Sequence, residues 1–357
     1  MNLQRQLLFW LGALIIIILL VWLLHAILLP FVAGTVIAYL LSPLTNRLER
    51  AGMNRIVATL LTVGSFILFF VLAAVLLFPI LGTQLFAFIQ RLPTYATRLQ
   101  ELITEENKTW LQSIVGDKLP DVQKSIADLM GEASKWLGTF VASLWLGGRA
   151  LLSIFSLLVV TPVVAFYVLY DWPAVTAKVD SWLPLSHRAT IRKLANEIDR
   201  AIAGFLRGQS TLCLILGIYY AIGLVAVGLN FGLLIGLSSG LLTFIPYVGS
   251  LSGFLIGMIV AVVQFYPNWT PIIITFAIFA VGQFLEGYVL SPKLVGESVG
   301  LHPVWMIFAL FAFGYLLGFV GLLIAIPLAA AVGVLLRFAL SQYLESPLYT
   351  NKPRGSR

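Results

Sequence analysis

With 357 residues, 60% of them hydrophobic and only 10% charged, and a mean hydropathy of +0.99, the chain falls outside the soluble globular class, where about 25% of residues are charged. The net charge of +7 comes from Lys and Arg spread over loops and ends. That pattern suits cytoplasmic loops facing anionic lipid and excludes a nucleic-acid partner. Cys213 is the single cysteine, so no internal disulfide and no cysteine metal cluster can form.

A spanning helix needs about 20 apolar residues, and charge-free windows locate the candidates. Met1–Leu29 is too long for a signal-peptide core and has no small-x-small cleavage site after it, so it reads as a retained first span. The window from Arg5 to Arg47 predicts two helices, Leu7–Leu29 and Phe31–Leu44, with Pro30 at the turn and the second segment short. Ile56–Gly82 and Ala150–Tyr170 predict one helix each.

Lys and Arg placement sets orientation. Arg47, Arg50 and Arg55 in a short loop, and Lys352, Arg354 and Arg357 in the tail, put the loop and both termini in the cytoplasm. Thr83–Gly148, with six basic and seven acidic residues, then lies outside. Leu85, Phe88, Leu92, Leu99 and Leu102 recur at helical spacing there, followed by Val115, Val122, Ile126 and Leu129. Such a segment is either a helical cap on the bundle or a neighbouring subunit, or an arm for a partner or lipid. In the cytoplasmic loop Asp171–Gly208, a stripe of Ile191, Leu194, Ile198, Ile202 and Phe205 predicts an amphipathic helix, His187–Gly208, lying along the membrane surface and leading into the next span.

The C-terminal half echoes itself at a spacing of about 72 residues. Gly228-Leu229 matches Gly300-Leu301, and Val248-Gly249-Ser250-Leu251 matches Val320-Gly321-Leu322-Leu323. Apolar arms flank each echo: Phe231–Ile245 with Ser250–Phe265, and Pro303–Leu317 with Leu322–Phe338. An arm of about 15 residues spans only about 22 Å, short of a hydrocarbon core of about 30 Å. The prediction is two broken or re-entrant hairpins, inverted by the single helix Pro271–Leu290 between them. Such short, interrupted segments at matching positions point to a transporter's substrate site, with chance self-matching as the alternative. Gly232, Gly236 and Gly240, then Gly249, Gly253 and Gly257, recur every fourth residue and give each arm of the first hairpin a smooth face; Gly321 falls at the second tip.

The fold class is therefore all-α: a polytopic membrane protein with about 7–8 membrane segments. The organisation reads as N-terminal spans over 1–82, the outside segment over 83–148, a span and amphipathic helix over 149–208, a transport unit over 209–338 and a tail over 339–357.

Glu286 is the only acid inside a late apolar span, one turn after Gln283. An intramembrane carboxylate is costly and is a functional candidate by default, for a proton or cation pathway; a structural acid paired with Lys293 is the alternative. Arg207 and Gln209 sit where the amphipathic helix meets the next span, as snorkelling or pathway residues. Pro246 and Gly249 break the first hairpin and expose backbone groups to a cavity or to packed protein. His302-Pro303 opens the second hairpin, as a hydrogen-bonding cap or a proton relay. Gln264 is a further candidate polar lining. No Gly-x-x-x-x-Gly-Lys loop and no Gly-x-Ser-x-Gly setting occurs, and His25, His187 and His302 lack ligand spacing. No enzyme, cofactor or metal site is expected.

Phe205-Leu206-Arg207-Gly208-Gln209, Ile245-Pro246-Tyr247-Val248-Gly249 and the run Glu286-Gly287-Tyr288-Val289-Leu290-Ser291-Pro292-Lys293-Leu294-Val295-Gly296 occur in order. Val299-Gly300-Leu301-His302-Pro303, Gly318-Phe319-Val320-Gly321 and Ile326-Pro327 complete the set. In these pieces the chain resembles the autoinducer-2 exporter (AI-2E) family of PerM-like permeases, best from Tyr167 to Phe338. The resemblance implies a helical transporter of the bacterial inner membrane, quorum-sensing export of autoinducer-2 or other small solutes, and homo-oligomerisation, with a pentamer among the admissible sizes. It also implies a second activity for some members, sodium(lithium)/proton antiport. A membrane scaffold that moves nothing is the rival from another class.

Overall fold

The computed structural model describes residues 27–101, 148–246, 248–295 and 300–346, with scattered positions outside these stretches. The first predicted span, most of the outside segment and the basic tail lie outside the described residues, as do Tyr247, Gly296 and Val299. Among the described residues all regular structure is helical. Seven helices are long and apolar enough to cross a membrane, and one shorter apolar helix, Gly232–Leu242, accompanies them. The protein is an all-α polytopic membrane protein.

The helices in chain order are α1 (Leu28–Arg50), α2 (Arg55–Glu101), α3 (Gly148–Ser181), α4 (Arg188–Ala226), α5 (Gly232–Leu242), α6 (Val248–Phe265), α7 (Trp269–Phe284) and α8 (Pro303–Leu344). A π-helical segment, Leu285–Val295, continues directly from α7. They form two compact units. The first gathers Met1–Phe66, Ser156–Gln209 and Ser291–Arg357, and the second Ile67–Phe155 and Ser210–Leu290. The chain passes between them inside α2, α3, α4 and the π-helical segment.

Two boundaries differ from the sequence reading. Pro30 does not turn the chain: it sits in the first turn of α1, where a missing N–H is one of the orphans anyway. The second segment is consequently not short, since α1 runs 23 residues, about 34 Å. The amphipathic helix His187–Gly208 leads into the span after it with no break between them. Both are one uninterrupted helix, α4, because the change at Arg207 is a change of polarity and not of backbone. Helix α2 likewise continues past Gly82 to Glu101, so the start of the outside segment is an extension of the span.

In the first unit α1 meets α3 closely. A Cβ at Gly34 would stand 2.7 Å from the Val164 Cβ, and the buried Thr161 hydroxyl donates to the Pro30 carbonyl at 3.3 Å. Ala38, Val63 and Leu169 form a small core there. The turn from α3 to α4 is held by Asp180, which accepts from Arg188 and, in bidentate fashion, from Arg192 at 2.5 and 2.6 Å. Helix α8 is broken at Gly318, whose φ of 60° and ψ of −138° are open to glycine but not to an L side chain in a helix. The chain folds back there: a Cβ at Gly321 would stand 1.8 Å from the Phe313 carbonyl oxygen, whereas eight residues of straight helix span about 12 Å. This is the second hairpin.

The first hairpin, α5 and α6, belongs to the second unit. Its 11-residue α5 is about 16 Å long, a re-entrant length. Gln264 fastens the turn that leads into it, donating to the Gly228 carbonyl at 2.8 Å and accepting from the Asn230 N–H at 2.7 Å. That turn holds Gly228 at φ 77° and Phe231 at φ 60°. Two faces without side chains stack the hairpin. On α5, a Cβ at Gly232, Gly236 or Gly240 would stand 2.9, 2.3 or 2.1 Å from the α4 backbone at Leu224, Ala221 or Gly217. On α6, one at Gly249 would stand 2.0 Å from the Thr243 N, one at Gly253 would run into the Ser239 hydroxyl, and one at Gly257 into the Phe279 ring.

Candidate functional site

The second unit brings the hairpin tip and the intramembrane acid together. Glu286 is the second residue of the π-helical segment, half-buried, and its Oε2 accepts from the Gln283 Nε2 at 3.0 Å. The Ser250 side chain, next to Gly249 at the start of α6, is close enough to interact with the same carboxylate. Long π-helical runs are rare and concentrate at functional sites, because the wider turn re-aims side chains. Here the change from α to π geometry falls one residue before the acid.

Below this pair lies an aromatic floor. Tyr220 of α4 is fully buried, and Gly282 makes the space for it: a Cβ at Gly282 would stand 2.4 Å from the Tyr220 hydroxyl oxygen. That hydroxyl has no hydrogen bond of good geometry, although the Gln283 side chain is close enough to interact with it. The Tyr220 ring lies 5.0 Å from that of Phe279, which meets Phe254 of α6 edge-on at 5.8 Å. The adjacent Tyr219 hydroxyl donates to the Ile278 carbonyl at 3.1 Å. Helix α7 is thereby held by α4 and α6 over the turns that precede Glu286.

The other sequence candidates divide by position. Pro246 stands in the turn between α5 and α6, in the same unit as Glu286. Arg207, Gln209, His302 and Pro303 belong to the first unit. Arg207 donates from Nε to the Tyr39 carbonyl at 3.2 Å, and Gln209 is buried. Between them, Gly208 lets α4 approach the π-helical segment, where a Cβ would stand 2.1 Å from the Leu294 carbonyl oxygen. His302 caps α8, its Nδ1 accepting from the Val304 N–H at 3.3 Å, with Pro303 in the first turn. Ion pairs among the described residues include Arg55–Glu49, Arg188–Asp180 and Arg192–Asp180, and none joins Lys293 to Glu286.

Sequence reasoning passes over Tyr220, Ser250 and Gly282. One signal for Gly282 is present: a residue with no side chain directly before a polar pair in an apolar helix marks a place where a bulky neighbour sits. Ser250 lies inside the echoed Val-Gly-Ser-Leu, but nothing local connects it with position 286. Among the described residues no group of three or more His, Cys, Asp or Glu is placed to hold a metal ion.

Comparison with known proteins converges on one description. A family model described as AI-2E family transporter matches residues 11–341. Bacillus subtilis YrrI, whose name assigns transport only provisionally, is 29% identical over 321 residues, 88% of this chain and 87% of the relative. Escherichia coli PerM, named provisionally as a permease, is 28% identical over 309 residues, covering 86% and 85%. Escherichia coli TqsA, named as an AI-2 transport protein, is 25% identical over 328 residues, covering 91% and 90%.

Proposed function

The chain belongs to the AI-2E transporter family, and from that premise we propose that it exports or facilitates the passage of small polar solutes, autoinducer-2-like in chemistry. The observation that carries this reading is the Glu286 cluster. A half-buried carboxylate in an apolar helix accepts a hydrogen bond from Gln283 and has Ser250 close by, both neutral. It sits beside the tip of a re-entrant hairpin, where a substrate site is expected in helical transporters. Acceptors on Glu286 and donors on Gln283 and Ser250 suit a hydroxylated solute. The chemistry is passage rather than catalysis.

The reading includes a setting. The protein works in the bacterial inner membrane as a homo-oligomer, with both termini in the cytoplasm, and takes part in quorum sensing where autoinducer-2 is the solute. Its N-terminal helices form scaffold and subunit contact while the hairpin unit moves.

One observation favours a second reading, sodium(lithium)/proton antiport: no described basic side chain forms an ion pair with Glu286, which leaves it free to exchange a cation for a proton. Proteoliposomes separate the two. Labelled-solute uptake that is lost in Glu286→Gln, without cation dependence, supports export of a solute. Proton flux that requires sodium or lithium and is lost in the same variant supports antiport. Neither flux, with insertion verified, removes both and leaves a scaffold.

A further inference from the structure

A proline at position i of a helix withholds the N–H that would bond the carbonyl of residue i−4 and leaves that oxygen orphaned. Spanning helices tolerate such prolines because neighbouring helices, side chains, water or a local change of helix geometry can satisfy the freed oxygen. Pro43 lies inside α1 and Pro173 inside α3, so the orphaned carbonyls are those of Tyr39 and Leu169. Each receives an arginine from a different helix. Arg207 of α4 donates from Nε to the Tyr39 oxygen at 3.2 Å. Arg55 of α2 donates from Nη2 to the Leu169 oxygen at 2.5 Å and from Nε to the Tyr170 oxygen at 3.0 Å.

We propose that Arg207 and Arg55 are a pair of positioning latches that stand in for the amide donors removed by Pro43 and Pro173, fastening α1 to α4 and α3 to α2 at their proline breaks. All four helices contribute these residues within the first unit. A carboxylate stands at each latch, on the arginine itself at Arg55 and on the gripped tyrosine at Arg207. The Arg55 Nη1 pairs with Glu49 at 2.7 Å. On α4, Asp199 accepts from the Tyr39 hydroxyl at 2.9 Å, so α4 grips Tyr39 by its side chain and by its backbone, two turns apart. At Arg55 a guanidinium suits the task because its planar fork addresses two carbonyls and a carboxylate together, which a lysine ammonium on its flexible stem does less well. Arg207 is thus a residue that joins helices, and the assignment holds whatever solute is carried.

The test is a pair of double-mutant cycles on the full-length protein in detergent, read as the shift in melting temperature. Arg207→Ala lowers it in the wild-type background. In Pro43→Ala, which restores the backbone donor, the same substitution causes less than half that loss. Arg55→Ala behaves alike towards Pro173→Ala. The crossed pair, Arg207→Ala in Pro173→Ala, keeps its full loss. An undiminished loss of Arg207→Ala in Pro43→Ala, or equal relief in the crossed pair, overturns the proposal. If Arg207→Ala does not fold, Arg207→Gln enters the same cycle: a loss that Pro43→Ala relieves supports the latch, and one that it leaves unchanged overturns it.

Discussion

Gly282 lies against the Tyr220 phenol so closely that a Cβ at position 282 would stand 2.4 Å from both the ring and its hydroxyl oxygen. The ring is fully buried and braced by Phe279, so it has no direction in which to retreat. Gly282→Ala is expected to destabilise the protein by about 1–3 kcal/mol, the range for overpacking a filled site. Tyr220→Phe goes the other way. It removes a buried hydroxyl that has no well-formed hydrogen bond, and the loss of an unsatisfied polar atom is neutral or stabilising. Thermal unfolding in detergent checks both, and a clear loss in Tyr220→Phe means that the hydroxyl has a partner, Gln283 being the nearest candidate.

Glycines in these helices should divide by what stands opposite them. In an open helix position, Gly→Ala stabilises by up to about 1 kcal/mol through backbone entropy. Gly64 of α2 is exposed with nothing within 4 Å of its Cβ position, and Gly64→Ala should raise the melting temperature. Gly236→Ala should lower it, because the new methyl meets the Ala221 backbone N at 2.3 Å and two main chains must separate. Opposite signs for one chemical change are the expected outcome. The same sign at both positions would mean that α5 does not rest on α4 as described.

Much of the fold is legible because lipid imposes a simple rule: charge-free stretches become helices, and glycine every fourth residue marks where two of them touch. The re-entrant length of α5 follows from the distance between the breaks at Gly228 and Pro246. Two features escape this logic. No proline interrupts Arg188–Ala226, so the shift from amphipathic to apolar at Arg207 suggests a joint where the backbone has none. Pro30 reads as a break because proline is usually one, yet its effect depends on the turn it occupies. The Glu286 cluster is only half legible. Gln283 is one turn away and visible as a helical neighbour, while Ser250 and Tyr220 arrive through tertiary packing from α6 and α4.

Gln264 is readable as a polar residue in an apolar arm, and its task is mechanical. Both ends of its amide are engaged by the turn before α5, where a residue with a side chain, Phe231, holds a left-handed backbone. Gln264→Leu, which keeps volume and removes both bonds, should destabilise by about 1–3 kcal/mol, two bonds at about 0.5–1.5 kcal/mol each. Gln264→Glu keeps the acceptor for the Asn230 N–H but places a carboxylate oxygen against the Gly228 carbonyl, and should fall at least as far. Hydrogen exchange at the Asn230 amide is the specific readout, and protection there that survives Gln264→Leu would separate the side chain from the turn.

Glu286→Gln should make the protein more stable and less active at once. The wild-type carboxylate sits in an apolar helix with Gln283 and Ser250 as neutral partners and no ion pair, an arrangement that disfavours the folded state unless the charge is used. Glutamine has nearly the same shape. Its carbonyl oxygen accepts from Gln283 as the carboxylate does, and the uncompensated charge is gone. A group retained against stability is the usual mark of a working site. The melting temperature should therefore rise while flux in proteoliposomes collapses. A fall in melting temperature with flux unchanged would make Glu286 a structural acid, and the search for the solute's path would move to the hairpin tip at Pro246 and Gly249.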